Sequence, residues 1–356
     1  MTISRRALVL SAVTLPGLAA CSGDSLGTDT SGTDAQGAGA SDAGGGATGT
    51  FPITISHLYG ETEIAAEPAR IATVSWVNAD TLLALDVVPV GMPLVEWGGN
   101  ANSSTDWIDA KLEELGAGWD SDDAPTMYSE ADGINADEIA ALTPDLIIAA
   151  YSGLTQEEYD QLSGIAPTIG PLAANYTASW EDVLTAVGSA TGRTEQAAEL
   201  LTDLQSRLAA VGEENPAVAE STFIAGTLGL SDDTINLYVG EDTRPRFFTA
   251  LGMTQAEVVT EATADAETFY LEWSAERADE LVSDVFYTWA APGDTIESFQ
   301  AHPLFAQIPA VAGGGLVLTD DDHLTLSISA VNALSIPWAL ENFVPDVIAA
   351  AETAQA

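Results

Sequence analysis

The chain has 356 residues, of which 54 are acidic and nine basic, for a formal net charge of −45 at pH 7. A field this negative repels nucleic acid and anionic lipid surfaces, so neither is a partner held by charge. Cys21 is the only cysteine, which excludes an intramolecular disulfide.

Arg5 and Arg6 open the chain, followed by an uncharged run of 14 residues from Ala7 to Ala20. A basic start, a short apolar run and small residues before a cut make an export signal, and the run is too short to span a bilayer as a helix. The stretch Leu18-Ala19-Ala20-Cys21 resembles a bacterial lipobox, in which the cysteine is lipidated and becomes the first mature residue. General and twin-arginine export are both compatible with Arg5-Arg6. Residues 22–50 are almost wholly Gly, Ser, Thr, Ala and Asp, with Leu26 the only large apolar residue. Such a stretch cannot offset its ordering entropy by burial, so it reads as a flexible tether. Loss of residues 1–20 leaves seven basic against 54 acidic side chains, a net of −47. Membrane attachment then rests on acyl chains with little electrostatic help. So acidic a surface also suits high ionic strength, where screening relieves self-repulsion.

From Phe51 onward, apolar runs alternate with amphipathic segments, the rhythm of an α/β fold. Ile53–Ser56 and Thr62–Ile64 read as a hairpin. Arg70–Trp76 reads as a buried strand before a helix near Asn78–Leu85, and Val88–Met92 as a second strand. A short helix over Asn135–Leu142 closes at Pro144, and Asp145–Tyr151 is the clearest strand of the first half. Tyr159–Leu162 is predicted helical and Pro167–Ile169 a short strand. From Trp180 to about Gly212 the pattern is helical, with Gly192 its likeliest break, and is read as one long helix joining two lobes. Ser221–Leu228 is predicted as a strand and Arg246–Leu251 as a helix ending at Gly252. Ala275–Val282 reads as a short helix, Asp284–Trp289 as a buried strand, Gly315–Thr319 as a strand and Ala330–Phe343 as a closing helix. Short helix, Pro-Asp or Ser-Asp, apolar strand and aromatic occur in that order over both Asn135–Tyr151 and Ser274–Trp289. The expected organisation is an export signal over 1–20, lipidated Cys21 and tether over 21–50, an N-terminal α/β lobe over 51–178, a linking helical segment over 179–215 and a C-terminal α/β lobe over 216–356. Two Rossmann-like lobes around a helical spine leave a ligand cleft between them.

Open parallel sheets bind ligands beyond the C-terminal ends of their strands. Aromatics stand there: Trp76, Tyr151, Trp289 and, a few residues past its strand, Trp97. Such a rim suits a large, partly apolar ligand. Arg244 and Arg246 are the candidate anion ligands, since guanidinium forks hold anionic oxygens bidentately. Pairing within the chain, with Glu241 or Asp242, is their competing role. His57, His302 and His323 are far apart and have no i, i+4 pair, so direct metal ligation is not expected. No nucleophile elbow, phosphate loop or dinucleotide fingerprint is present, so neither catalysis nor a cofactor is expected.

Three stretches carry a resemblance over nearly all of residues 51–350. They are Arg70-Ile-Ala-Thr-Val-Ser-Trp with Pro89-Val90-Gly91, then Asn135 to Ile148 with Ile165-Ala-Pro167, and Asp242-Thr-Arg-Pro-Arg-Phe with Leu251-Gly252. In this ordered set the chain is similar to the iron-siderophore and vitamin B12 type of substrate-binding lipoproteins that serve ABC importers, with the third stretch resembling the ferric-siderophore branch. The resemblance implies a monomer tethered by lipid at the extracytoplasmic face of the cell membrane, with a ferric siderophore as ligand and an ABC permease as partner. It implies that Arg244, alone or together with Arg246, faces anionic oxygens of a ferric chelate, which saturates its own iron. It also implies permease docking through one acidic residue per lobe, here Asp137 or the adjacent Glu138, and Glu276. Cobalamin or a bare metal ion is the alternative cargo, the former leaning on aromatics and the latter needing the histidines to converge. An exported hydrolase is the reading from another class.

Overall fold

The computed structural model describes residues 49–356, apart from Asp265 and Glu267. The expected export signal, Cys21 and nearly all of the tether lie outside the described residues. An antiparallel hairpin, β1 (Ile53–His57) and β2 (Gly60–Ile64), opens the described chain. Five short parallel strands follow: β3 (Ile71–Thr73), β4 (Gly91–Pro93), β5 (Thr126–Tyr128), β6 (Leu146–Ile148) and β7 (Thr168–Ile169), in the order β5-β4-β3-β6-β7. All three residues of β3 and of β6 are buried, as strands covered on both faces require.

The second sheet is mixed. Its parallel part comprises β8 (Thr222–Gly229), β10 (Thr254–Gln255), β12 (Val285–Trp289) and β13 (Leu316–Thr319). Antiparallel β9 (Thr234–Tyr238) and β11 (Tyr270–Trp273) extend it at one edge, two strands that the sequence pattern does not announce. The two halves share one device nonetheless. Asp145 opens β6 and accepts from the backbone N–H of Ala69 and Arg70 at 2.8 and 2.9 Å, tying the neighbouring strand. Asp284 does the same before β12, accepting from the N–H and hydroxyl of Thr222 at 2.7 Å each.

The spine is two helices rather than one. Trp180–Ala190 ends in a turn where Gly192 takes φ +72°, and a 21-residue helix then runs over Thr194–Glu214. At 1.5 Å per residue the second helix is about 31 Å long, enough to reach from one lobe to the other. Its Gly212 packs so closely that a Cβ would meet the Leu251 carbonyl at 2.5 Å. One apolar cluster runs from Leu82 and Ile148 through Leu204 and Leu208 of this helix to Phe223, Phe248 and Phe343. The lobes therefore share a continuous core along the spine.

Three further departures have local causes. The helix expected over Ala275–Val282 is a 3-10 segment, Ala275–Glu280. The helix expected over Ala330–Phe343 spans only Ser335–Asn342, so that Pro337 lies in its first turn, where a missing N–H costs nothing, and a further helix, Val344–Ala354, closes the chain instead. The strand expected to reach Trp76 stops at Thr73, because Ser75 and Val77 both adopt positive φ.

Candidate functional site

Of the four aromatics expected at the rim, the three tryptophans touch in series, while Tyr151 is only 5% exposed and reaches them through another ring. Trp76 stacks on Trp97 with ring centroids 6.2 Å apart and planes 20° apart, and Trp97 meets Trp289 edge-on at 6.0 Å. Trp289 ends β12, whereas Trp76 and Trp97 follow β3 and β4, so this contact closes across the two lobes. Tyr176, which the sequence pattern does not single out, completes the run. It lies 6.4 Å from Trp76 and 5.6 Å from Tyr151. Trp76 and Tyr176 remain 49% and 45% exposed, unusual for rings of this size and consistent with a surface awaiting a ligand.

The backbone aims Trp76 outward at a cost. Ser75 and Val77 adopt left-handed φ of 63° and 54°, and for a β-branched valine that conformation is strained. Asn78, fully buried, holds the strain in place. Its amide donates to the carbonyls of Val74, Trp76 and Tyr151 at 2.7, 3.1 and 3.0 Å, and its oxygen accepts from Tyr151 N–H at 3.0 Å. One side chain thus positions two of the rim aromatics.

Beneath the rings lies a cavity of about 290 Å³. Its ionisable lining is acidic: Asp80, Glu96 and Glu130. Burial pushes the Asp80 carboxyl up to about 6, against the lowering effect of hydrogen bonds from Trp107 Nε1 and Asn332 Nδ2 at 2.7 and 3.1 Å. Asn332 belongs to the second lobe, so Asp80 also fastens the lobes together. His323 does likewise, donating from Nδ1 to the Gly98 carbonyl at 2.7 Å. Burial first, and then repulsion from Glu96 and Glu158, push Glu130 up to about 7 although Ser75 N–H donates to it at 2.9 Å.

Arg244 sits in the helix Thr243–Ala250, whose N-cap is Asp242. The Asp242 carboxylate accepts from Arg244 Nε and Nη2 at 2.7 and 2.8 Å, and the guanidinium lies 3.5 Å from the centre of the Tyr238 ring. The pairing foreseen as the competing role therefore occurs. It uses the N–H of Nε and one of Nη2, and Tyr238 engages part of the remaining donor capacity. Burial opposes the Arg244 charge, but Asp242 more than offsets it, so the guanidinium stays firmly cationic. The Tyr151 hydroxyl is pushed up by burial and then by Asp242, with Arg244 acting the other way.

Arg246 lies apart from the aromatic cavity. It lines a separate cavity of about 420 Å³ with Trp180, Glu181 and Leu208, which shares no lining residue with the aromatic one. Residues two apart on a helix face in nearly opposite directions, so Arg244 and Arg246 cannot grip one group. The other described cations are already engaged. Lys111 pairs with Asp86, Arg193 with Glu67, Arg207 with Asp203 and Arg277 with Glu280, while Arg70 donates to the Leu142 and Thr143 carbonyls.

Asp137 and Glu138 are exposed on the helix Ala136–Ala141 before β6, and Glu276 is exposed on the 3-10 segment before β12. The histidines stay apart: His57 bonds Thr62, His302 pairs with Asp233, and His323 bridges the lobes. Among the described residues no three His, Cys, Asp or Glu side chains converge on a metal position.

Residues 71–323 match the family described as periplasmic binding protein. A probable siderophore-binding lipoprotein of Bacillus subtilis, YfiY, is 29% identical over 180 residues, which are 49% of this chain and half of that relative's length. The ferric enterobactin-binding periplasmic protein FepB of Escherichia coli is 26% identical over 73% of this chain and 81% of its own. Among solved structures, Streptococcus pneumoniae PiaA in complex with ferrichrome superposes with a TM-score of 0.76 at 29% identity, covering 85% of this chain and 99% of that one.

Proposed function

This chain belongs to the periplasmic binding protein family, and from that premise we propose that it captures a ferric siderophore outside the cell and delivers it to an ABC-type permease. The observation that carries this reading is the run of rings Trp289, Trp97, Trp76, Tyr176 and Tyr151, contributed by both lobes and open to solvent at its centre. A chelator that encloses its iron presents apolar faces and polarised oxygens. The exposed rings take the faces, and the donors of Arg244 that Asp242 leaves over take oxygens. The chelator supplies every ligand to the iron, so the protein needs none. Ligand capture and release is the whole task, with no bond made or broken in the cargo.

The continuous core along the spine favours small lobe movements over wide opening. Asp137 or Glu138 on one lobe and Glu276 on the other occupy equivalent places before β6 and β12, and we assign them to the permease contact. Lipidated Cys21 holds the monomer at the outer face of the cell membrane. The siderophore-related names of YfiY, FepB and PiaA support the cargo class. The test is to isolate the protein from iron-starved producing cells and weigh the complex under native conditions. An added mass equal to an intact ferric chelate is expected. Cobalamin, a bare metal ion or a chemically altered compound in its place would refute the reading.

A further inference from the structure

The aromatic cavity has a charge that the family assignment does not account for. Among the described residues neither lysine nor arginine lines it, while Glu96 and Glu130 do. The third acid there, Asp80, is already satisfied by Trp107 and Asn332. Glu130 is not. Its sole donor among the described residues is the Ser75 N–H, and its charged neighbours are two more carboxylates, Glu96 and Glu158. Ser75 lines the same cavity at 7% exposure, and its buried hydroxyl has no hydrogen-bond partner among the described residues. The rings beside them, Trp76, Trp97 and Tyr176, present electron-rich faces. A part-buried carboxylate that faces other carboxylates and π clouds is electrostatically uncompensated, and a guest cation would compensate it.

We propose that the Trp76 end of the cleft receives a positively charged arm of the cargo, a primary ammonium, with Glu130 and Glu96 as its counter-charges and the rings as its cation–π wall. This rests on the reading of the cleft as a ferric-chelate site and adds which chelates it favours. The cleft is polar end to end: chelate oxygens lie toward Arg244 near Tyr151, and the ammonium lies toward Glu130 near Trp76. Chelates bearing an amine are selected. Polyanionic ones, such as a ferric tris-catecholate, are disfavoured because they set negative charge against Glu130.

The test is a matched pair: a linear ferric trihydroxamate that ends in a free primary amine, and the same chelate with that amine acetylated. Each is titrated into the wild-type protein at pH 8 and low salt, followed by tryptophan quenching. The amine form is expected to bind about tenfold more tightly, with the ratio shrinking in high salt and in Glu130→Gln or Glu96→Gln. Equal affinity for the two forms, or preference for the acetylated one, overturns this inference and leaves the ferric-chelate reading standing. Failure of both forms and of every other ferric chelate to bind overturns that reading and the inference with it.

Discussion

Trp97 and Trp289 meet edge to face at 6.0 Å, one from the loop after β4 and the other from the end of β12. The contact makes the ligand surface a joint product of both lobes. Trp97→Ala and Trp289→Ala should each weaken ferric-chelate binding about tenfold or more, because each removes one face of a continuous stack. Isothermal titration checks this independently of the fluorescence that the substitutions themselves alter.

Arg244 and Arg246 should behave differently. Arg244→Ala removes the charged donors near the rim and is expected to cost ~1.5–3 kcal/mol of binding. It also strips the Asp242 carboxylate of its partner, so the melting temperature should fall as well. Arg246→Ala should leave chelate affinity where it was. Equal losses in the two variants would return Arg246 to the ligand set.

Asn78→Ala should be among the more destabilising single changes, since it leaves buried carbonyls of Val74 and Tyr151 without a donor. A loss of ~2–4 kcal/mol is expected from two or more unsatisfied buried groups. Denaturant unfolding measures it. Chelate binding by the folded fraction should also weaken, because the left-handed turn that presents Trp76 is no longer held.

The acid cavity gives stability a pH dependence of definite sign. The Asp80 carboxyl titrates near 3.8 when unfolded and at about 6 when folded, and Glu130 moves from 4.5 to about 7. Both folded-state values lie above the unfolded ones. Their stabilising contribution is therefore full below about pH 4 and is lost as the pH rises through about 6 to 7. Asp80→Asn should thus be more stable than wild type at pH 8 and no more stable at pH 4, as read by denaturant midpoints. A gap that widens toward acid pH would show that the carboxylate is favoured by its surroundings.

Replacing Asp137, Glu138 and Glu276 together by alanine should leave chelate affinity unchanged and abolish uptake in cells. The three side chains are exposed and lie on the segments leading into β6 and β12. Normal uptake by the triple variant would refute the docking assignment.

Much of this architecture is legible in the sequence, and particular residues show where legibility stops. Leu146-Ile-Ile148 and Val285-Phe-Tyr-Thr-Trp289 are apolar runs of strand length, so the central parallel strands and the aromatics that end them can be read directly. Antiparallel β9 and the edge strand β11 interleave polar and apolar residues, as in Thr234-Ile-Asn-Leu-Tyr238, and so lack the continuous apolar run that marks the parallel strands. The separation of Arg244 from Arg246 is not legible, because the helix is expected to begin at Arg246. Once it begins at Thr243, helical geometry sends the two side chains apart. Tyr176 follows Asn175 in a turn where both residues have positive φ, a conformation that leaves no periodicity to detect. Asn78 resembles an ordinary helix-starting residue, and only the fold reveals that it bonds across to Tyr151, 73 residues away. Glu130 is one of 54 acids, and its burial beside Trp76 has no mark in composition.

The central claim is that the ring-lined space between the lobes takes up an intact ferric chelate. Its most direct measurement is a stoichiometric titration of the purified protein with ferric trihydroxamates, repeated with Trp76→Ala, with the chelate recovered and analysed afterwards. The account requires saturation at one chelate per chain, a marked loss of affinity in the variant, and a chelate returned unaltered. No saturation, indifference to the loss of Trp76, or a chemically changed chelate would contradict it.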